Sequence, residues 1–259
     1  MTEKEMNKVF LLGGSDLEME TVKQIVGQCS GCISVDLNLS WSNALLSNYL
    51  GVFDNFPRAE FYAVELQEDI EVPAGVISRY HRIDHHNEYA YRSSSLEQVA
   101  EVLGVALNRR QLLIAANDRG YIPAMKALGA TEDEIAEIRR LDRRAQGVTE
   151  DDERLAEESL ACNMHKGRQL WVVKSLSPKF SPICDRLYPY QRLLIYTDSE
   201  WMFYGEGKLE LVEQLREDIR AKKVFYGGAD DGYVGCVRGA YSRKEIEQFV
   251  EQIKKRYDE

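Results

Sequence analysis

Five short apolar runs in the first half of this chain each lead to an acidic residue, and this repeat limits what the chain can fold into. Residues 9–12 lead to Asp16, 32–35 to Asp36, 61–64 to Glu65, 76–83 to Asp84 and 111–116, through Asn117, to Asp118. Segments of helical spacing lie between them at 21–26, 42–50 and 96–103, the last opened by Ser93, Ser94 and Ser95, good residues for a helix N-cap. Short strands alternating with helices predict an α/β fold, a mostly parallel sheet with flanking helices. Ligands of such sheets bind outside the carboxyl ends of the strands. One acid there is an ordinary cap or turn residue. Five on one rim repel one another unless a cation lies among them.

Asp84-His85-His86 sharpens that expectation, because three of the four histidines fall between 81 and 86. Carboxylate oxygen and imidazole nitrogen suit Mn, Fe and Zn. A polar strand-to-loop turn is the plain alternative for an isolated His-His pair. A net charge of -10 argues against duplex nucleic acid as a partner, which calls for a basic footprint. It leaves room for a small nucleotide held by a metal and a few arginines. No apolar run approaches the roughly 20 residues that span a bilayer, so no membrane partner is expected. Residues 1–8 lack a signal-peptide pattern, which makes a cytoplasmic location the expectation. Cys29 and Cys32 form a lone Cys-x-x-Cys, either redox-active, half of a zinc site, or a helix-to-strand connection that contains thiols.

The domain reading is a metal-binding α/β domain over 1–130, a charged helical linker over 131–166, and a smaller α/β domain over 167–259. The charged stretch reads as solvated helix. In the last part, 170–173, 192–196 and 201–204 read as strands, and 209–219 and 244–253 as helices. Between those helices, Gly227, Gly228, Gly232 and Gly235 make either a close backbone approach to a ligand or a hairpin turn. His165 reads as a surface histidine.

The order of these pieces resembles the DHH phosphoesterases, a family of exonucleases, nano-RNA and cyclic-dinucleotide phosphodiesterases and pyrophosphatases. Ile83-Asp84-His85-His86-Asn87 matches its Asp-His-His motif, Ser93-Ser94-Ser95-Leu96-Glu97 its following helix start, and Asp118 its fourth-motif acid. Asp16-Leu17-Glu18 stands at the first motif, with Leu12 in place of its histidine, and Glu65 stands at the second in place of Asp. The C-terminal part resembles the family's small DHHA1 domain through its glycines, without that domain's histidine. The resemblance implies hydrolysis of a phosphoester by one or two Mn2+ ions, with Mg2+ as the alternative. It implies Asp16, Glu18, Glu65, Asp84, His85 and Asp118 as ligands, with Asp84, His85 and His86 as the catalytic group. His86 would meet phosphate or support a ligand from behind, and Arg119 would meet phosphate, being equally a surface arginine. Gly227, Gly228 and Tyr233 would hold the rest of the substrate, unless Tyr233 simply packs. The substrate expected is a small nucleotide, such as a cyclic dinucleotide or a short single-stranded oligonucleotide. A homodimer is a possible assembly. A binding or sensor protein on the same fold is the competing expectation, suggested by Leu12, Glu18 and Glu65.

Overall fold

The computed structural model describes residues 7–86, 89, 91–228 and 231–258. Asn87 of the Asp-His-His motif, and Ala229 and Asp230 of the glycine-rich stretch, lie outside them. The chain forms two units, 1–146 and 147–259, both α/β.

The first unit holds a parallel four-stranded sheet in the order β2-β1-β3-β4 among the described residues. The strands are β1 (Lys8–Leu12), β2 (Cys32–Val35), β3 (Glu60–Val64) and β4 (Tyr80–Ile83). Val9, Phe10, Leu11 and Leu12 are all buried, as expected of an inner strand of a parallel sheet covered on both faces. On one face Val9, Leu11, Phe61 and Ala63 pack against Leu46, Tyr49 and Phe53, the last in α2 (Leu50–Asn55). Helix α1 (Leu17–Gly27) touches α3 (Ser95–Leu103), α4 (Arg109–Ala127) and α5 (Glu132–Ala145). The chain passes from β1 to β2 on one side and then crosses to β3 on the other. This makes the gap between β1 and β3 the switch point where α/β sheets bind ligands.

Three expected elements of this unit differ, and in the second unit the helix expected over 209–219 is two, broken at Leu215. Residues 111–116 are helix, not strand, and form part of α4. The five apolar residues at 112–116 suit a buried helix as well as a strand. Here the Asn108–Gln111 capping box decides for helix, each side chain bonding the other's backbone N–H. Residues 42–50 are not one helix but two 3-10 turns followed by α2. Leu46 N–H donates to the Gln67 carbonyl, and Gln67 N–H to that of Ala44, which draws the backbone away from helix. The strand expected over 76–83 begins only at Tyr80, because residues 77–79 form a turn in which Val76 and Ile77 N–H donate to the Pro73 carbonyl.

Among its described residues, the second unit carries a mixed six-stranded sheet in the order β5-β6-β7-β8-β10-β9. These are β5 (Met164–Lys166), β6 (Trp171–Lys174), β7 (Arg192–Tyr196), β8 (Trp201–Gly205), β9 (Val224–Gly227) and β10 (Tyr233–Cys236). Its helices are α6 (Glu150–Cys162), α7 (Ser181–Leu187), α8 (Lys208–Gln214), α9 (Arg216–Arg220) and α10 (Arg243–Asp258). One apolar cluster joins Leu194, Phe203 and Val234 to Ile246 and Val250, and another joins Val173, Leu193 and Ile195 to Ile183. The charged stretch is divided, α5 falling in the first unit and α6 in the second. It is not wholly solvated, since α5 buries Arg139 and Asp142.

Candidate metal centre

Leu12 lies opposite Val64, and Val64 opposite Ile83, so the residues after β1, β3 and β4 leave the sheet at one level. Glu65 follows at once and takes a left-handed backbone, φ 54°. This conformation is uncommon for any residue but glycine and is often found where function holds a side chain in place. Glu65 N–H donates to the Ile83 carbonyl at 2.9 Å. Gly13 presses on the same corner: a Cβ there would lie 2.6 Å from the Glu65 carbonyl oxygen and 2.9 Å from that of Val64. Gly13→Ala is therefore expected to force β1 and β3 apart, at a cost of about 1–3 kcal/mol. Urea denaturation measures this, and wild-type stability would contradict the close approach.

The side chains from this corner meet around His85. Its Nε2 lies 2.6 Å from Asp118 Oδ2, 3.3 Å from Glu65 Oε1 and 3.7 Å from Glu18 Oε2. Glu65, His85, His86 and Asp118 each offer one atom within 4.8 Å of the others. Glu18 is 2 % exposed, and Glu65 and His85 are both buried. The Leu96 N–H at the start of α3 donates to Glu18 Oε1 at 3.0 Å, which fixes that carboxylate and leaves Oε2 for the cluster. Close as they are, His85 Nε2, Glu18 Oε2, Asp118 Oδ2 and both oxygens of Glu65 lack a hydrogen-bond partner. Buried polar atoms without partners are costly. Carboxylate oxygens and one imidazole nitrogen converging in this way are a donor set that fits a divalent cation.

The electrostatics agree. Burial raises Asp16 and Glu18 well above the ordinary carboxylate range, and the nearby charge of Asp118 adds to it. Burial also acts to raise Glu65, but His85 and His86 outweigh it and hold that carboxyl low. Burial disfavours the charged form of His85, yet contact with Asp118, Glu18 and Glu65 overrides this and pushes it up to about 12. Without a metal, the imidazolium is the cation these acids share.

The other expected residues separate by position. Asp16 caps α1, accepting from Met19 N–H at 2.8 Å. Asp84 has both oxygens engaged: Oδ1 accepts from His86 N–H at 2.9 Å and Oδ2 from Arg82 at 3.1 Å. These contacts outweigh burial and lower its pKa. Gln98 of α3 donates to the Asp84 carbonyl and so braces the strand end. His86 is the outward member, 42 % exposed at its side chain, with Nδ1 3.3 Å from Asp84 Oδ1 and 3.9 Å from Glu65 Oε2. Asp118 reaches the cluster from helix α4, not from a strand end. The Leu12 side chain is apolar and buried, and Tyr49 donates to its carbonyl.

Several residues stay outside the cluster. Asp36, expected on the rim, pairs with Lys23 at 2.9 Å. His81 is exposed and pairs with Glu60, and His165 pairs with Asp258. Arg119 is half exposed, with Glu97 4.0 Å away. Cys29 and Cys32 are free thiols, and burial pushes Cys32 up, away from a reactive thiolate. In the second unit, β9 and β10 pair antiparallel with Gly227 opposite Tyr233. A Cβ on Gly227 would lie 2.4 Å from the Tyr233 hydroxyl, and Gly228 has φ 71°. Buried Lys208 donates to both glycine carbonyls, and the Tyr233 ring lies beside Tyr204 and Phe225.

A four-stranded parallel sheet with a strand-end cluster of acids and histidines defines the class: an α/β protein with a potential metal site. No protein-family model and no curated protein matches this sequence. Solved structures do match. A DHH-domain protein described as belonging to a family of ribosomal proteins has a TM-score of 0.55 at 12% identity, over 96% of this chain and 87% of that one. A pGpG-specific phosphodiesterase from Vibrio cholerae has a TM-score of 0.46 at 12% identity, over 97% and 98%. RecJ from Thermus thermophilus, in complex with Mn2+, has a TM-score of 0.45 at 11% identity, over 97% of this chain and 52% of its own. The fold is thus that of DHH-domain proteins. No helix among the described residues is long and apolar enough to cross a membrane.

Proposed function

We propose that this chain is a metal-dependent phosphodiesterase acting on a small nucleotide. The observation that carries the reading is the set of buried carboxylates that converge on His85 Nε2, 2.6 Å from Asp118 at the nearest, with no hydrogen bond to satisfy them. Glu18, Glu65, His85 and Asp118 are the proposed ligands of one divalent ion, Mn2+ first and Mg2+ second. Bound there, the cation supplies Lewis acidity toward a phosphoryl oxygen and lowers the pKa of water. Asp84 orients His86 and pairs with Arg82 of β4, while Asp16 holds the start of α1 beside Glu18. His86, the exposed member, contacts the substrate phosphate, with Arg119 as a second contact. Gly227, Gly228 and Tyr233 remain the proposed substrate residues of the second unit. The nucleotide assignment rests on the motif resemblance around residues 83–99.

The second reading is a nucleotide-binding protein that does not cleave. Leu12 favours it, because this chain has a buried apolar side chain where the motif resemblance calls for a histidine. Incubation with short RNAs, linear and cyclic dinucleotides and pyrophosphate, with Mn2+ and with chelator, separates the two. Mn2+-dependent cleavage of a nucleotide is the expected result. Binding without cleavage selects the second reading, and neither binding nor cleavage overturns both.

A further inference from the structure

Helix α5 contributes no ligand to the cluster, yet it grips both helices that do. Arg139 and Asp142 are buried, at 7 % and 5 % exposure, and paired at 2.6 Å. Arg139 Nη1 also donates to Asn117 Oδ1 at 2.9 Å. Its guanidinium lies over the Tyr121 ring, 4.6 Å from the centroid. Asn117 directly precedes Asp118. Tyr121, with φ 58°, sits with Gly120 at the point where α4 departs from helical geometry. Arg139 therefore holds α4 on both sides of Asp118. Asp142 faces the other way: its Oδ1 accepts from Leu17 N–H at 3.4 Å, and its Oδ2 also accepts from Gln146 at 3.1 Å. Leu17 is the first residue of α1 and lies between Asp16 and Glu18. A carboxylate suits that place, where the N–H groups of a helix start lack partners inside the helix.

We infer that Arg139 and Asp142 are positioning residues for the metal centre, one ion pair that fixes Glu18 and Asp118 relative to each other. This rests on the metal reading above. The two ligands come from chain segments 100 positions apart and must meet at His85 within a fraction of an ångström, a tolerance typical of working sites. A buried ion pair is no better than a well-packed apolar pair for stability alone. Its directed bonds, from one guanidinium nitrogen to Asp142 and Asn117, however, set orientation as an apolar contact does not. Residues that support metal ligands in this way typically account for about 10–100-fold in affinity.

The test is Mn2+ titration of the full chain, followed by calorimetry, beside its thermal unfolding curve. Arg139→Met and Asp142→Asn are each expected to weaken Mn2+ binding by about 10–100-fold in protein that is still folded at the titration temperature. Arg139→Lys, which keeps the charge and loses the planar group over Tyr121, is expected to restore only part of it. Where a single substitution unfolds the chain, Arg139→Met with Asp142→Leu removes both charges together and keeps the packing. Weakened binding in that folded double variant supports the inference. Wild-type Mn2+ affinity in it, whatever its melting temperature, overturns the inference and leaves the metal reading standing. A wild-type chain that binds no Mn2+ overturns the metal reading and this inference with it.

Discussion

Glu65→Gln is expected to remove Mn2+ binding, with a loss beyond the ~100-fold that marks the upper range for residues that only support ligands. The substitution keeps shape and volume and removes one charge. Both Glu65 oxygens are buried without a hydrogen-bond partner, one of them 3.3 Å from His85 Nε2. The left-handed backbone at this residue, with Gly13 against its carbonyl, leaves the side chain little freedom to withdraw. Any Mn2+-dependent cleavage is expected to vanish with the metal. Calorimetric titration of folded variant and wild type measures the effect. Equal affinity in the two would mean that Glu65 is not a ligand.

The second large effect is on pH. In the protein without metal, His85 is held at about 12 by its three acidic neighbours, against an ordinary 6.5. The folded value lies above the unfolded one. The protonated ring therefore contributes stability that is fully present below about 6.5 and is lost as pH rises through about 12. Glu65 has the opposite sign: its pKa is lowered, so its contribution is present above the ordinary 4.5 and lost as pH falls through the depressed value. A metal ligand must be a neutral imidazole, so Mn2+ has to displace the His85 proton. Affinity is expected to rise with pH across the neutral range, by up to about tenfold per unit for one proton released. Calorimetry in buffers of different ionisation enthalpy counts that proton. Binding that is independent of pH would contradict the placement of His85 in the site.

Much of this centre is legible in the sequence, because parallel strands bring the residues after them to one level. Glu65 and the Asp84-His85-His86 triplet follow strands β3 and β4 in register, and the serines before α3 mark its start. Asp118 is legible as a residue but not as structure. The run before it is apolar enough for a strand, and only the Asn108–Gln111 pair signals the helix. Asp36 follows the same strand-to-acid pattern, yet it ends an edge strand and meets Lys23 instead. Arg139 and Asp142 escape a sequence reading because an Arg and an Asp three apart in a charged helix look like a solvated surface pair. Only tertiary packing shows that this pair turns inward toward α1 and α4. The glycines at 227 and 228 carry two meanings in the sequence, and the pairing of β9 with β10, with Tyr233 over Gly227, supplies a packing reason for the first.

On the proposed function, the buried acids and His85 hold a metal ion. Equilibrium titration of metal-free protein with Mn2+, read by the loss of the free-ion electron paramagnetic resonance signal, tests it most directly. The expected result is one tightly held ion per chain in the wild type, with that site gone in His85→Ala. No tight site in the wild type, or a site that persists unchanged in His85→Ala, would contradict it.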